Sequence, residues 1–397
     1  MRTMFARRLD RIAPFRVVEL LERAKALEAD GHRVVHLEVG EPDFPTAPSI
    51  VAAGHRALDA GATKYTQALG IPELRARIAG HYRDWAGVTV DPQRVVVTAG
   101  ASAGLLLLAA LLLDAEDELL LTDPGYPCNE VFAWLVNGVP VAVPVLPEEG
   151  FRLTAARARD AWSDATRGIL AASPANPTGA VLDAATLAEL ADLAHGRDGF
   201  LVLDEIYQGL TYPTAGNLAP GYRTALQVND GIYALNSFSK YFGMTGWRLG
   251  WMVVPEAAVE PVARLAQNLF ISPPSLAQYA ALAAFEADAM AVHEARRARF
   301  EQRMVRLCDG LEALGFHIPV RPSGAFYVYV DIGHTGLDAV DFCWRLLEER
   351  HVAVTPGIDF GARDAERFVR FAFTTGEDAI GLGLERLDAA LGDWGIR

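Results

Sequence analysis

Short apolar runs alternate along the chain with longer stretches of mixed polarity. Residues 14–30 have helical periodicity and end at Gly31, and Val34–Val39 follows as a short strand. Gly40–Pro45 holds one glycine and two prolines among six residues and reads as a loop. From residue 94 a strand–loop–helix texture recurs. Arg94–Thr98, Glu118–Thr122, Gly168–Ala172, Phe200–Leu203, Ile232–Leu235 and Leu249–Val254 predict strands, and Ala103–Leu113 and 184–195 predict helices. Strands that are apolar throughout cannot leave one face in water. The expected core is therefore a mainly parallel or mixed sheet covered by helices on both faces. After residue 288 a long charged helix is expected over 288–314. Short strands then follow near 325–331 and 367–373, with helices near 338–350 and 377–391. The prediction is an α/β protein: a large domain over 45–289 and a smaller, discontinuous α+β domain from 1–44 and 290–397. A length of 397 residues suits two cores better than one.

Charge narrows the function. The formal net charge is −14, which argues against a nucleic-acid partner because phosphate binding needs clustered cations. The three cysteines, Cys128, Cys308 and Cys343, lie far apart without paired spacing, so neither a disulfide framework nor a metal site is expected. The longest apolar run, Gly104–Leu113, is too short to span a membrane, and no apolar segment follows the charged N-terminus. A cytoplasmic enzyme is expected. Of 36 Lys and Arg residues only Lys25, Lys64 and Lys240 are lysines. A lysine retained in so arginine-rich a chain draws attention to what an amine can do and a guanidinium cannot: lose a proton and attack a carbonyl. Lys25 falls in a helical pattern and reads as a solvated side chain.

Ligands of open α/β sheets bind at the carboxyl ends of the strands. Four strand ends, taken as adjacent, carry Gly100-Ala101-Ser102, Asn176-Pro177-Thr178-Gly179, Asp204-Glu205-Ile206-Tyr207 and Ser237-Phe238-Ser239-Lys240. The first offers small residues before a helix, suited either to an anion or to a helix N-cap at Ser102. Arg248, eight residues past Lys240, strengthens the anion reading. Asp204 follows an apolar strand and needs a partner, either a structural cation or a protonated ring nitrogen. Lys240 sits in an aromatic-rich loop where desolvation and Arg248 would both favour the neutral amine.

These motifs resemble those of the class I, aspartate-aminotransferase-like family of pyridoxal-phosphate enzymes of fold type I. The resemblance runs from Leu37–Phe44 to Val369–Phe371. It implies pyridoxal 5′-phosphate as cofactor, held by Lys240 as the Schiff-base lysine and proton shuttle. Asp204 would partner the ring nitrogen, and Tyr207 and Asn176 the ring oxygen. Ala101, Ser102, Ser237 and Arg248 would form the phosphate cup, with Gly100 and Ser239 also among the cofactor-binding residues. Tyr126 would stack on the ring, and Arg370 with Gly40 and Asn176 would bind the substrate carboxylate. The local pattern around Arg370 otherwise reads as a strand with an exposed cation. Tyr65 would reach the phosphate of a neighbouring subunit, which implies a homodimer with shared active sites.

The implied reaction is ping-pong transfer of an amino group from an L-amino acid to a 2-oxo acid, with 2-oxoglutarate as the expected acceptor. A β-lyase or synthase on the same fold is the alternative. A cofactor-binding transcription regulator is disfavoured because only about 35 residues precede the Gly40 loop, and a nicotinamide dehydrogenase because no GxGxxG follows the first strand. Several relatives preferring acidic side chains carry Lys at the position matching Ser102, so strict aspartate preference does not follow, and aromatic, aliphatic and acidic donors all stay open. The stretch Ala13–Val17 would supply either an apolar wall or, through Arg16, a ligand for a distal carboxylate.

Overall fold

The structure is a computed structural model that describes residues 4–212 and 223–396. Its centre is a seven-stranded sheet. In chain order after β1 (Val35–His36) its strands are β2 (Val95–Thr98), β3 (Glu118–Asp123), β4 (Val139–Pro144), β5 (Thr166–Ala172), β6 (Phe200–Asp204), β7 (Tyr233–Ser237) and β8 (Gly250–Val253), arranged β2-β8-β7-β6-β5-β3-β4. Pairings are parallel except where β8 runs against β2 and β7.

Side chains of a strand alternate between faces, so a strand covered on both sides must be apolar at every position. β6 shows this. Leu201 and Leu203 pack with Leu187 and Leu190 of the helix Ala184–His195. Val202 faces the other way, toward Leu105 and Leu108 of the helix Gly100–Leu112 and Val262 of the helix Val259–Leu269.

The sequence analysis did not anticipate β4, Val-Pro-Val-Ala-Val-Pro. Its two prolines argue against a strand, but β4 is the edge of the sheet, where a missing N–H breaks no ladder. The expected strand Val34–Val39 is trimmed to β1, because Glu38 and Val39 already turn into the Gly40 loop. Helices Pro48–Asp59 and Pro72–Ala86, each opened by a proline in its first turn, are also additions.

The remaining strands are β9 (Tyr327–Asp331), β10 (Val352–Ala353), β11 (Thr355–Pro356) and β12 (Phe368–Ala372). They form a three-stranded antiparallel sheet β11-β12-β9 and the parallel pair β1-β10. The helices Ala287–Ala313, Ala339–Arg350 and Glu377–Asp393 accompany them. Pairing of β1 with β10 joins the N-terminal segment to the C-terminal part of the chain. On that pairing we propose the division into 45–289 and 1–44 with 290–397. No helix among the described residues is long and apolar enough to cross a membrane.

Candidate active site

The carboxyl ends of β5, β6 and β7 place Asn176, Asp204 and Ser237–Lys240 along one edge of the sheet. The four strand ends are not all adjacent, because β8 intervenes between β2 and β7. β8 runs antiparallel, so its first residue, Gly250, pairs with both Thr98 of β2 and Ser237 of β7. Arg248 therefore enters from the same edge that β2 and β7 leave. Its backbone is left-handed (φ 55°), and its guanidinium lies against Gly100, where a Cβ would come within 2.6 Å of Nη2. Gly100 has φ 78°, so both backbone and space require glycine there. The helix that starts at Gly100 has Ala99 as its N-cap, which removes the reading of Ser102 as the cap: Ser102 lies inside the first turn.

A cavity of about 390 Å³ opens over this edge, within the roughly 300–1,000 Å³ of small-molecule sites. Most of the expected site residues line it: Gly40, Ala101, Ser102, Tyr126, Asn176, Asp204, Tyr207, Ser237, Ser239, Lys240, Arg248 and Arg370. Gly100 stands behind Arg248. Tyr65 is not brought in; it is 80% exposed and lies away from the cavity. Lys25 and Lys64 are exposed as well, leaving Lys240 as the amine on the cavity.

Lys240 Nζ donates to the Gly40 carbonyl at 2.8 Å. Burial lowers its pKa to about 8, reinforced by Arg370 and Arg248 and opposed by Glu41 and Asp204. Asp204 is buried and pushed up to about 7 by desolvation. Its neighbour Glu205 is also pushed to about 7 by burial, yet differs in its partners. Glu205 accepts from Thr224 Oγ1, the Ala225 amide and Gln208 Nε2 at 2.7–3.2 Å and is structural. Asp204 accepts one described donor, the Ile206 amide at 3.1 Å, and has no salt bridge among the described residues. It faces the cavity with acceptor capacity to spare, which is what a ring N–H would fill.

Arg370, whose local pattern apart from the resemblance reads as an exposed cation, is buried. Nη1 donates to Asn176 Oδ1 at 3.0 Å and Nη2 to the Glu38 carbonyl at 2.6 Å and Thr355 Oγ1 at 3.2 Å. Its charge lies over the rings of Tyr327 (4.2 Å) and Phe360 (4.6 Å), and no carboxylate among the described residues neutralises it within salt-bridge distance. Because a guanidinium only donates, the Asn176 atom facing it must be the amide oxygen, which leaves the amide NH₂ to donate elsewhere. Tyr207 and Tyr327 share a hydrogen bond between hydroxyls at 3.0 Å.

Sequence reasoning missed Tyr327, Leu105, Asp359 and Phe360, which also line the cavity. Tyr327 sits in a strand buried at every position, so nothing local separates it from core residues. A side chain at Gly40 would collide with its hydroxyl, which explains the glycine in that loop. The N-terminal stretch contributes Phe15, Val17, Val18 and Leu21 as an apolar wall. Arg16 is half exposed and pairs with Glu19 at 3.2 Å.

Similarity to known proteins agrees with this arrangement. Residues 32–387 match the family described as aminotransferase class I and II. Valine–pyruvate aminotransferase of Mycobacterium tuberculosis is 37% identical over 383 residues, 96% of each chain. Aspartate/prephenate aminotransferase of Thermus thermophilus is 37% identical over 394 residues, 98% of each. A solved aminotransferase from Mycobacterium tuberculosis superposes with a TM-score of 0.94 at 36% identity, over 99% of this chain and 100% of that one. A fold-type-I α/β enzyme with an amine, an under-satisfied buried acid and an unpaired arginine around one cavity is thus accounted for by descent as well as by geometry. The chain belongs to the class I and II aminotransferases, pyridoxal-phosphate enzymes.

Proposed function

We propose that the chain moves the amino group of an L-amino acid to a 2-oxo acid by a ping-pong mechanism, with Lys240 as the catalytic amine. The observation that carries this is the convergence of Lys240, Asp204 and Arg370 on one cavity, each with unused capacity toward it.

Pyridoxal phosphate, when bound, supplies an electron sink for the pair left when the substrate Cα–H bond breaks. The residues present fit it. Asp204 would offer its free acceptor capacity to the ring nitrogen, and a cation there would offset the cost of burying the carboxylate. Tyr207 and Asn176 would donate to the ring oxygen. Arg248, Ser237, Ser239 and the first turn of Gly100–Leu112 would hold the phosphate, and Tyr126 would face the ring. Arg370 would bind the substrate α-carboxylate as a charge-assisted fork, a geometry lysine could not give. Lys240, its amine neutral in a useful fraction near neutral pH, would bind the cofactor, then take the proton from substrate Cα and give it up again within the cavity.

The relatives differ in the donors they are named for, so they do not fix this chain's donor. The expected acceptor, 2-oxoglutarate, needs a cation for its second carboxylate, and Arg16, the residue the sequence offered for a distal carboxylate, is engaged with Glu19. The same proposal includes a cytoplasmic homodimer with shared sites, supported by the exposure of Tyr65 and by three free cysteines.

The test is an absorbance spectrum of the cofactor-loaded protein before and after addition of L-amino acids. Aminotransfer predicts that the aldehyde-form band moves to the amine-form region with at least one donor and returns on adding a 2-oxo acid. Steady release of ammonia and a 2-oxo acid without any acceptor would contradict it.

A further inference from the structure

A ping-pong enzyme uses one cavity for donor and acceptor in turn, so the wall opposite the catalytic groups sets the side chain of both. Among the described residues three cations line the cavity, and the proposed function gives each a role: Lys240 toward the cofactor aldehyde, Arg248 toward its phosphate and Arg370 toward the substrate α-carboxylate. A substrate with a second carboxylate would need a fourth.

The wall offers the reverse. Val17, Val18 and Leu21 come from one face of the helix Arg16–Ala29, joined by Phe15 just before it. The polar group among them is itself a carboxylate. Asp359 accepts from the amides of Arg16 (3.0 Å) and Val17 (2.8 Å), the first two residues of that helix. It latches the helix over the cavity and sets a carboxylate, not a cation, in the lining beside the apolar side chains; burial holds its pKa above the usual carboxylate range.

Resting on the aminotransferase reading, we propose that this wall selects uncharged, apolar side chains in both half-reactions. The donor is an L-amino acid with an apolar side chain, and the acceptor a 2-oxo acid without a second carboxylate, such as pyruvate. Phe15, Val18 and Leu21 are specificity-determining residues, and Asp359 is a positioning residue that acts through the helix it caps.

The experiment follows the cofactor band of the loaded enzyme in single half-reactions. L-Valine, L-leucine and L-methionine are compared with L-aspartate and L-glutamate, then pyruvate with 2-oxoglutarate. An unpaired buried carboxylate predicts at least about 100-fold lower kcat/KM for the dicarboxylic substrates. Acidic donors within about tenfold of the best apolar one would overturn the proposal and point to a cation supplied by a second copy of the chain. Failure of every amino acid to shift the band would remove the aminotransferase reading itself, and this one with it. Val18 is 47% exposed, so Val18→Arg tests the wall without a buried charge in the fold. It should raise kcat/KM for L-aspartate by about tenfold or more while lowering it for L-valine. An unchanged ranking in that variant would also overturn the proposal.

Discussion

The floor and the wall of the cavity are built on different principles. The floor is the carboxyl edge of the central sheet, where Asn176, Asp204 and Lys240 follow directly from buried strands. The wall is assembled from distant segments: a helix beginning at Arg16, β9 with Tyr327, and the turn Gly357–Asp359 with Phe360. The floor is held by strand register, so its polar groups stay fixed even when under-satisfied. The helix of the wall is held by side-chain packing and by a single carboxylate on two amides. Chemistry rests on the rigid part and selection on the part a few contacts can re-aim.

Changes to the floor should therefore remove turnover, and changes to the wall should redistribute it. Lys240→Ala is expected to lower kcat by at least about 10⁴-fold, since it removes both nucleophile and proton carrier, with the unfolding midpoint nearly unchanged. Steady-state kinetics beside a thermal melt checks this, and a variant that turned over normally would break the comparison. Arg370→Leu is expected next, with kcat/KM down about 100-fold through loss of a buried charge-assisted fork, mostly in KM.

The pH dependence sharpens the floor further. Below about 8 Lys240 is increasingly ammonium and cannot attack the cofactor aldehyde. Cofactor uptake by the apo chain should rise about tenfold per pH unit up to about 8 and level off above it, well below the roughly 10.4 of a solvated lysine. Stopped-flow absorbance across pH 6–10.5 reads the midpoint, with the window chosen to bracket both pKa values. Smallest is Asp359→Ala. Loss of the helix cap should cost about 1 kcal/mol of stability. KM for an apolar donor should rise about fivefold with kcat held, as expected of a group that only positions the wall.

The same contrast explains what could be read from the sequence. Asp204, Tyr207, Asn176 and Lys240 were legible because a strand ends and chemistry begins within three or four residues. The strands of the central sheet were legible for the same local reason, apart from β4, whose prolines are tolerated only because it is an edge; the two-residue β10 and β11 are too short to leave a pattern. Arg370 was legible through resemblance alone. Its surroundings read as an exposed strand cation, and its burial follows from β11 and β9 pairing on either side. Tyr327, Asp359 and Phe360 carry no local signal, because their placement depends on how the Gly40 loop, β9 and β12 come together. The N-terminal segment offered two readings in the sequence, an apolar wall or Arg16 as a ligand for a distal carboxylate. The structure lines the cavity with Phe15 and Val17, while the helix turns its first guanidinium toward Glu19.

The central claim is that Lys240, at the end of β7, holds the cofactor. Reducing the loaded protein with borohydride fixes the cofactor on the lysine that carries it, and peptide mass mapping then locates it among three candidates, Lys25, Lys64 and Lys240. The account predicts the phosphopyridoxyl mass on the peptide containing Lys240 and on neither other lysine. Label on Lys25 or Lys64, with Lys240 unmodified, would contradict it.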